Sequence, residues 1–96
     1  MNLQQITSIL SENKEFIHRH YKAELRGIFG SYSRGEQKAE SDLDILVAFD
    51  KGATLFTLSG LSNFLQEKLG IKVDVVSERA IRKNLRPYIE NDLVKV

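Results

Sequence analysis

Hydrophobic and polar positions alternate along this chain with two different periods, and the changes of period divide it into elements. From Leu3 to Tyr21 the apolar residues Leu3, Ile6, Ile9, Leu10, Phe16 and Ile17 recur mostly at spacings near three and four. That spacing predicts an amphipathic helical region, with Ser11 or Asn13 placed to cap a second helix inside it. Leu25 to Phe29 reads as a short strand, and Gly30-Ser31 as a strand-to-helix turn whose helix starts near Ser31 and stops near Gly35. Leu43 to Phe49 is nearly all apolar, as expected of a strand covered on both faces, and Asp50, Lys51 and Gly52 end it. Thr54 can cap the next helix, in which Leu55, Leu58, Leu61, Phe64, Leu65 and Leu69 line one side before Gly70 stops it. Ile71 to Val76 predicts a third strand. Ser77 is then expected to cap a final helix through Ala80, Ile81 and Leu85. Pro87 either interrupts that helix or opens a further turn carrying Tyr88, Ile89, Leu93 and Val94.

Strands alternating with helices imply an α/β (α+β) fold, a small mixed three-stranded sheet packed with helices. The short link between the first two strands suits an antiparallel pair, and the place of the third strand stays open. The 96 residues allow one domain, 1–96, and no second. Fourteen Lys and Arg against thirteen Asp and Glu give a net charge of +1. That is too weak a field to drive unspecific binding to nucleic acid, so no direct nucleic-acid partner is expected. Cysteine is absent, which excludes disulfides and leaves oxygen or imidazole as the only metal ligands. No stretch approaches the roughly 20 apolar residues of a membrane span. A soluble, cytoplasmic protein is expected.

The chemistry sits at the ends of the strands. Side chains alternate across a strand, so Asp42 and Asp44 project from one face, and crowded carboxylates resist ionisation unless a cation lies between them. Such a pair suggests a divalent ion held through oxygen, Mg²⁺ fitting best. Taken alone, Asp42-Leu43-Asp44 reads equally well as a solvated turn before a strand. Asp74 shifts the balance, because it interrupts an otherwise largely apolar strand where a charge is costly without a partner. Its competing reading is an edge-strand carboxylate facing solvent or pairing with Lys72. If the strands are neighbours, three carboxylates could hold two ions about 4 Å apart, as in-line displacement at phosphorus requires. Gly30-Ser31 supplies the complementary half: glycine lets backbone approach a ligand, and free N–H groups attract phosphate. In isolation, Gly-Ser would be a plain turn. Ten residues lie between Ser31 and Asp42, enough for a short helix and a return that brings the two halves together. Arg34 could reach the same phosphates, or pair with Glu36 or Glu40.

Gly30-Ser31-Tyr32-Ser33-Arg34-Gly35-Glu36, followed after four residues by Ser41-Asp42-Leu43-Asp44, resembles the signature of the minimal nucleotidyltransferases, small relatives of the DNA polymerase beta superfamily. The likeness runs over essentially the whole chain, with Asp74 standing where the family carries a third aspartate. It implies a nucleotidyltransferase palm in which Gly30 and Ser31 bind the nucleotide phosphates and Asp42, Asp44 and Asp74 bind Mg²⁺. It further implies transfer of AMP from ATP to a tyrosine hydroxyl of a HEPN-domain toxin, the chain acting as antitoxin of a type VII toxin-antitoxin pair, within a possible hetero-oligomer. The alternative is a catalytically inert antitoxin that neutralises its partner by binding. An aspartate-nucleophile phosphatase fails on size.

Other groups carry less. His18 and His20 are two apart on a helix and so lie on different faces, which reads as surface rather than as a metal pair. Arg82, Lys83 and Arg86 form a small basic cluster of the kind usually found on a solvated face. The sequence leaves the base preference and the oligomeric state undetermined.

Overall fold

A computed structural model describes all residues from Met1 to Val96. Two helices, α1 (Leu3–Glu12) and α2 (Lys14–Tyr21), lead into strand β1 (Ala23–Phe29). A one-turn helix α3 (Ser31–Arg34) and a loop connect β1 to β2 (Leu43–Phe49). Helix α4 (Leu55–Leu69), strand β3 (Val73–Ser77), a 3₁₀ turn (Glu78–Ala80), helix α5 (Arg86–Asp92) and strand β4 (Val94–Lys95) complete the chain.

Asn2 starts α1 with a reciprocal cap, its side chain accepting from Gln5 N–H at 2.8 Å while Gln5 Oε1 accepts from Asn2 N–H at 2.9 Å. The helical region does divide at Asn13, although not by a side-chain cap. Asn13 Nδ2 donates to Ile9 C=O at 2.7 Å instead, and Ser11 lies inside α1. Thr54 caps α4 as expected, accepting from Thr57 N–H at 3.3 Å.

The sheet order is β3-β2-β1-β4, with β1 antiparallel to β2 and to β4, and β2 parallel to β3. The sheet therefore has four strands where the sequence predicts three. Val94, expected in a helical turn, is one residue of the extra strand. That strand docks because position 27 is glycine: a Cβ there would lie 2.4 Å from the Val94 carbonyl oxygen. The final helix expected from Ser77 is also absent. Ser77 is the last residue of β3, paired with Val47, and makes no cap bond. Pro87 lacks an N–H and its ring would strike the carbonyl four residues earlier, so it opens α5 in the first turn rather than continuing a helix from Ala80.

The core lies between one face of the sheet and helices α1, α2 and α4. Leu43, Ile45 and Val47 of β2 are fully buried against Ile6, Leu10, Ile17, Leu61 and Leu65. Alternation along β2 then turns Asp42 and Asp44 to the opposite face. Leu55 departs from the expected apolar stripe. It sits in the first turn of α4 and is 83% exposed, the helix meeting the sheet only from Leu58 onward. No helix is long and apolar enough to cross a membrane.

Candidate active site

Strand register assembles the acidic cluster. Asp44 pairs with Asp74 across the parallel β2-β3 ladder and with Phe29 across the antiparallel β1-β2 ladder. Asp44 thus stands between the second aspartate on one side and the last residue of β1 on the other. Asp42 lies two residues earlier on the same face. Asp42 and Asp74 are exposed and Asp44 is half-buried.

Gly30 follows Phe29 directly, so the turn into α3 is pressed against Asp44. Its backbone, at φ 76° and ψ −152°, occupies a region that essentially only glycine visits. A Cβ at this position would lie 2.2 Å from Asp44 Oδ2 and 3.2 Å from Asp44 Cγ. The missing side chain is what lets the carboxylate and the turn share the space. The turn is held by its own bonds: Ser33 Oγ donates to the Gly30 carbonyl at 2.8 Å and Ser33 N–H donates to it at 3.1 Å. The N–H groups of Ser31 and Tyr32 stand at the open start of the helix, where no carbonyl of the preceding turn can accept them.

The three aspartates gather negative charge on one face of the sheet. None of Asp42, Asp44 and Asp74 is in an ion pair. Burial, and then the neighbouring Asp74 and Asp42 carboxylates, push the Asp44 carboxyl up to about 6, against an opposing pull from Arg34. These are hard oxygen donors, a donor set that suits Mg²⁺. They are not a closed cage. No three acidic or imidazole side chains are drawn together tightly enough to hold an ion by themselves, so the carboxylates form an open platform on which a ligand's own oxygens could complete the coordination. A cleft of about 400 Å³ opens beside Ser41, but it is lined by Tyr32, Ala39, Glu40, Gly70, Ile71 and Lys72 and by none of the three aspartates.

Arg34 ends α3. Its Nε donates to Glu36 Oε1 at 3.0 Å, one of the two pairings the sequence suggests, and Glu40 is not engaged. The second partner is Asp92 of α5, bonded to Nη1. Sequence reasoning misses Asp92 because the two residues are 58 positions apart and no local pattern links them. Both carboxylates favour the charged guanidinium, Asp92 first, and raise its pKa. His18 and His20 lie away from this site. His18 Nε2 contacts Asp50 Oδ2 at 2.9 Å and His20 stacks on Phe16. Arg82, Lys83 and Arg86 are exposed.

Comparison with known proteins gives the same setting a family. The model of the nucleotidyltransferase domain matches residues 8–96. Protein adenylyltransferase MntA of Thermococcus cleftensis is 33% identical over 96 residues, covering 100% of this chain and 97% of that protein. A solved structure provisionally named a minimal nucleotidyltransferase superposes with a TM-score of 0.83 at 34% identity, covering 100% of this chain and 97% of the other. A toxin-antitoxin crystal structure with AMP-PNP superposes with a TM-score of 0.61 at 30% identity, over 88% of this chain and 64% of that one. With the matched domain and the superposed fold in agreement, the chain belongs to the nucleotidyltransferase domain family and has the fold of its minimal members.

Proposed function

We propose that this protein is a Mg²⁺-dependent protein adenylyltransferase that moves AMP from ATP to a tyrosine hydroxyl of a HEPN-type toxin, for which it is the antitoxin. The observation that carries the reading is the crowding of Asp44 between Asp42, Asp74 and the Gly30 backbone: unpaired carboxylates on one side of a turn that leaves N–H groups free. Relatives named as an adenylyltransferase and as a toxin-antitoxin complex with AMP-PNP support the substrate and the partner class.

Asp42, Asp44 and Asp74 would hold the metal. Two divalent ions there would neutralise the triphosphate and favour the ionised acceptor hydroxyl. Gly30 lets the turn approach the nucleotide, and the Ser31 N–H and hydroxyl donate to its phosphate oxygens. Arg34 adds a fixed positive charge beside them. Asp74, exposed at the platform edge, takes the phenolic proton. The tyrosine oxygen bonds to the α-phosphorus, the bond from that phosphorus to the β-phosphate oxygen breaks, and pyrophosphate leaves. Neutralisation by occlusion alone would leave the crowded carboxylates without a use, since they cost stability when ionised and unpaired.

ATP binding is expected to require the metal, because a triphosphate and three carboxylates repel one another at this distance. Calorimetry with Mg²⁺ should register binding that disappears on adding excess chelator. Equally tight binding in chelator would contradict the metal site.

A further inference from the structure

The C-terminal segment is held against the strand that leads into the Gly30 turn. Strand β4 pairs with the end of β1, Val94 opposite Ile28, immediately before the Phe29-Gly30 turn. This pairing delivers Asp92, two residues before Val94, to Arg34 at the end of α3. The Asp92 side chain is three-quarters covered and that of Arg34 about half, so the pair is not a fully solvated surface contact.

A guanidinium has five N–H donors in a rigid plane. Here Nε is spent on Glu36 and one Nη1 hydrogen on Asp92. Two fixed points set the orientation of the plane and leave three donors, including both on Nη2, available to an anion. A lone arginine at the end of a one-turn helix would have to be ordered on each binding event. Arg34 closes the one-turn helix that starts from the Gly30 turn pressed against Asp44, which places the positive charge one helical turn from the proposed metal platform.

We propose that Asp92 is a positioning residue: by anchoring Arg34 from the C-terminal segment, it presents the free edge of the guanidinium to the triphosphate of the bound nucleotide. The inference rests on the nucleotidyl-transfer reading above. It makes α5 and β4 part of the nucleotide site.

The test is steady-state AMP transfer by the full chain with Mg²⁺ and ATP, together with calorimetric ATP binding. Asp92→Asn keeps the shape and removes the charge. It is expected to raise KM for ATP on the order of tenfold with kcat nearly unchanged, and Asp92→Glu should recover most of the loss. Arg34→Ala should raise KM comparably, and adding Asp92→Asn to it should do nothing more, since both act through one group. Additive losses in the double variant would overturn the proposal. So would an unchanged KM in Asp92→Asn. A lowered KM would equally refute it, showing that Asp92 masks Arg34. Wild-type protein that neither binds ATP nor transfers AMP would instead refute the nucleotidyl-transfer reading, and this inference with it.

Discussion

Replacing Asp42 and Asp44 together by asparagine is expected to lower AMP transfer by about a thousandfold or more while leaving the fold intact. Losing the ligands of a catalytic metal removes several kcal/mol of transition-state stabilisation, and each 1.36 kcal/mol is about tenfold in rate. The fold should survive because neither side chain packs in the core, which lies on the other face of β2. Stability at neutral pH should rise. The Asp44 carboxyl titrates at about 6 in the folded protein against an ordinary value of 3.8, so its ionisation opposes folding. The penalty is absent below the unfolded value, grows as pH rises through this window, and is complete above the folded value. A sealed group shifted this far would lose about 3 kcal/mol. Solvent screens the half-buried Asp44, and about 1 kcal/mol is the realistic gain on replacement. Thermal melts of the metal-free double variant should therefore lie above wild type by roughly 5 °C at pH 7.5 and keep only a small part of that gain at pH 4. A variant that unfolds at neutral pH would make the two aspartates structural.

Gly30→Ala is expected to damage both stability and function. The backbone at this residue is one that essentially only glycine adopts, and forcing another residue into it costs on the order of 1–3 kcal/mol. The added methyl would also collide with Asp44 Oδ2 at 2.2 Å. The carboxylate can swing away, which relieves the clash but removes it from the place where it faces Asp74. A fall in melting temperature on the order of 10 °C is expected together with loss of metal-dependent ATP binding. Gly35→Ala is the comparison. Gly35 has a similar positive φ of 70° but nothing within 4 Å of a new Cβ, so it should cost stability while leaving ATP binding in place. Equal loss of binding in both variants would show that turn strain, and not the contact with Asp44, governs the site.

The parts of this architecture legible in the sequence are those set by local chemistry. The apolar run of β2 and the alternation that turns Asp42 and Asp44 to one face need only neighbouring residues to be read. The same holds for the Gly30-Ser31 turn. Asp74 could be singled out as a charge in an apolar strand, although its pairing with Asp44 depends on a parallel register that no local pattern encodes. Strand β4 was hidden because two residues carry no periodicity, and it exists through a glycine on another strand that leaves room for it. The helix expected from Ser77 failed because β-pairing with Val47 claimed that residue first. Asp92 was out of reach for the same reason as β4: its partner is brought to it by tertiary structure alone.

Mass spectrometry of the partner tests most directly whether AMP is transferred to a protein tyrosine at the acidic platform. A HEPN-domain toxin incubated with this protein, ATP and Mg²⁺ should gain mass in steps of one AMP, located on a tyrosine. The adduct should be absent when the Asp42→Asn/Asp44→Asn double variant replaces the native chain. An unmodified toxin in the native reaction, together with full neutralisation by the double variant, would contradict the account and leave occlusion as the mode of action.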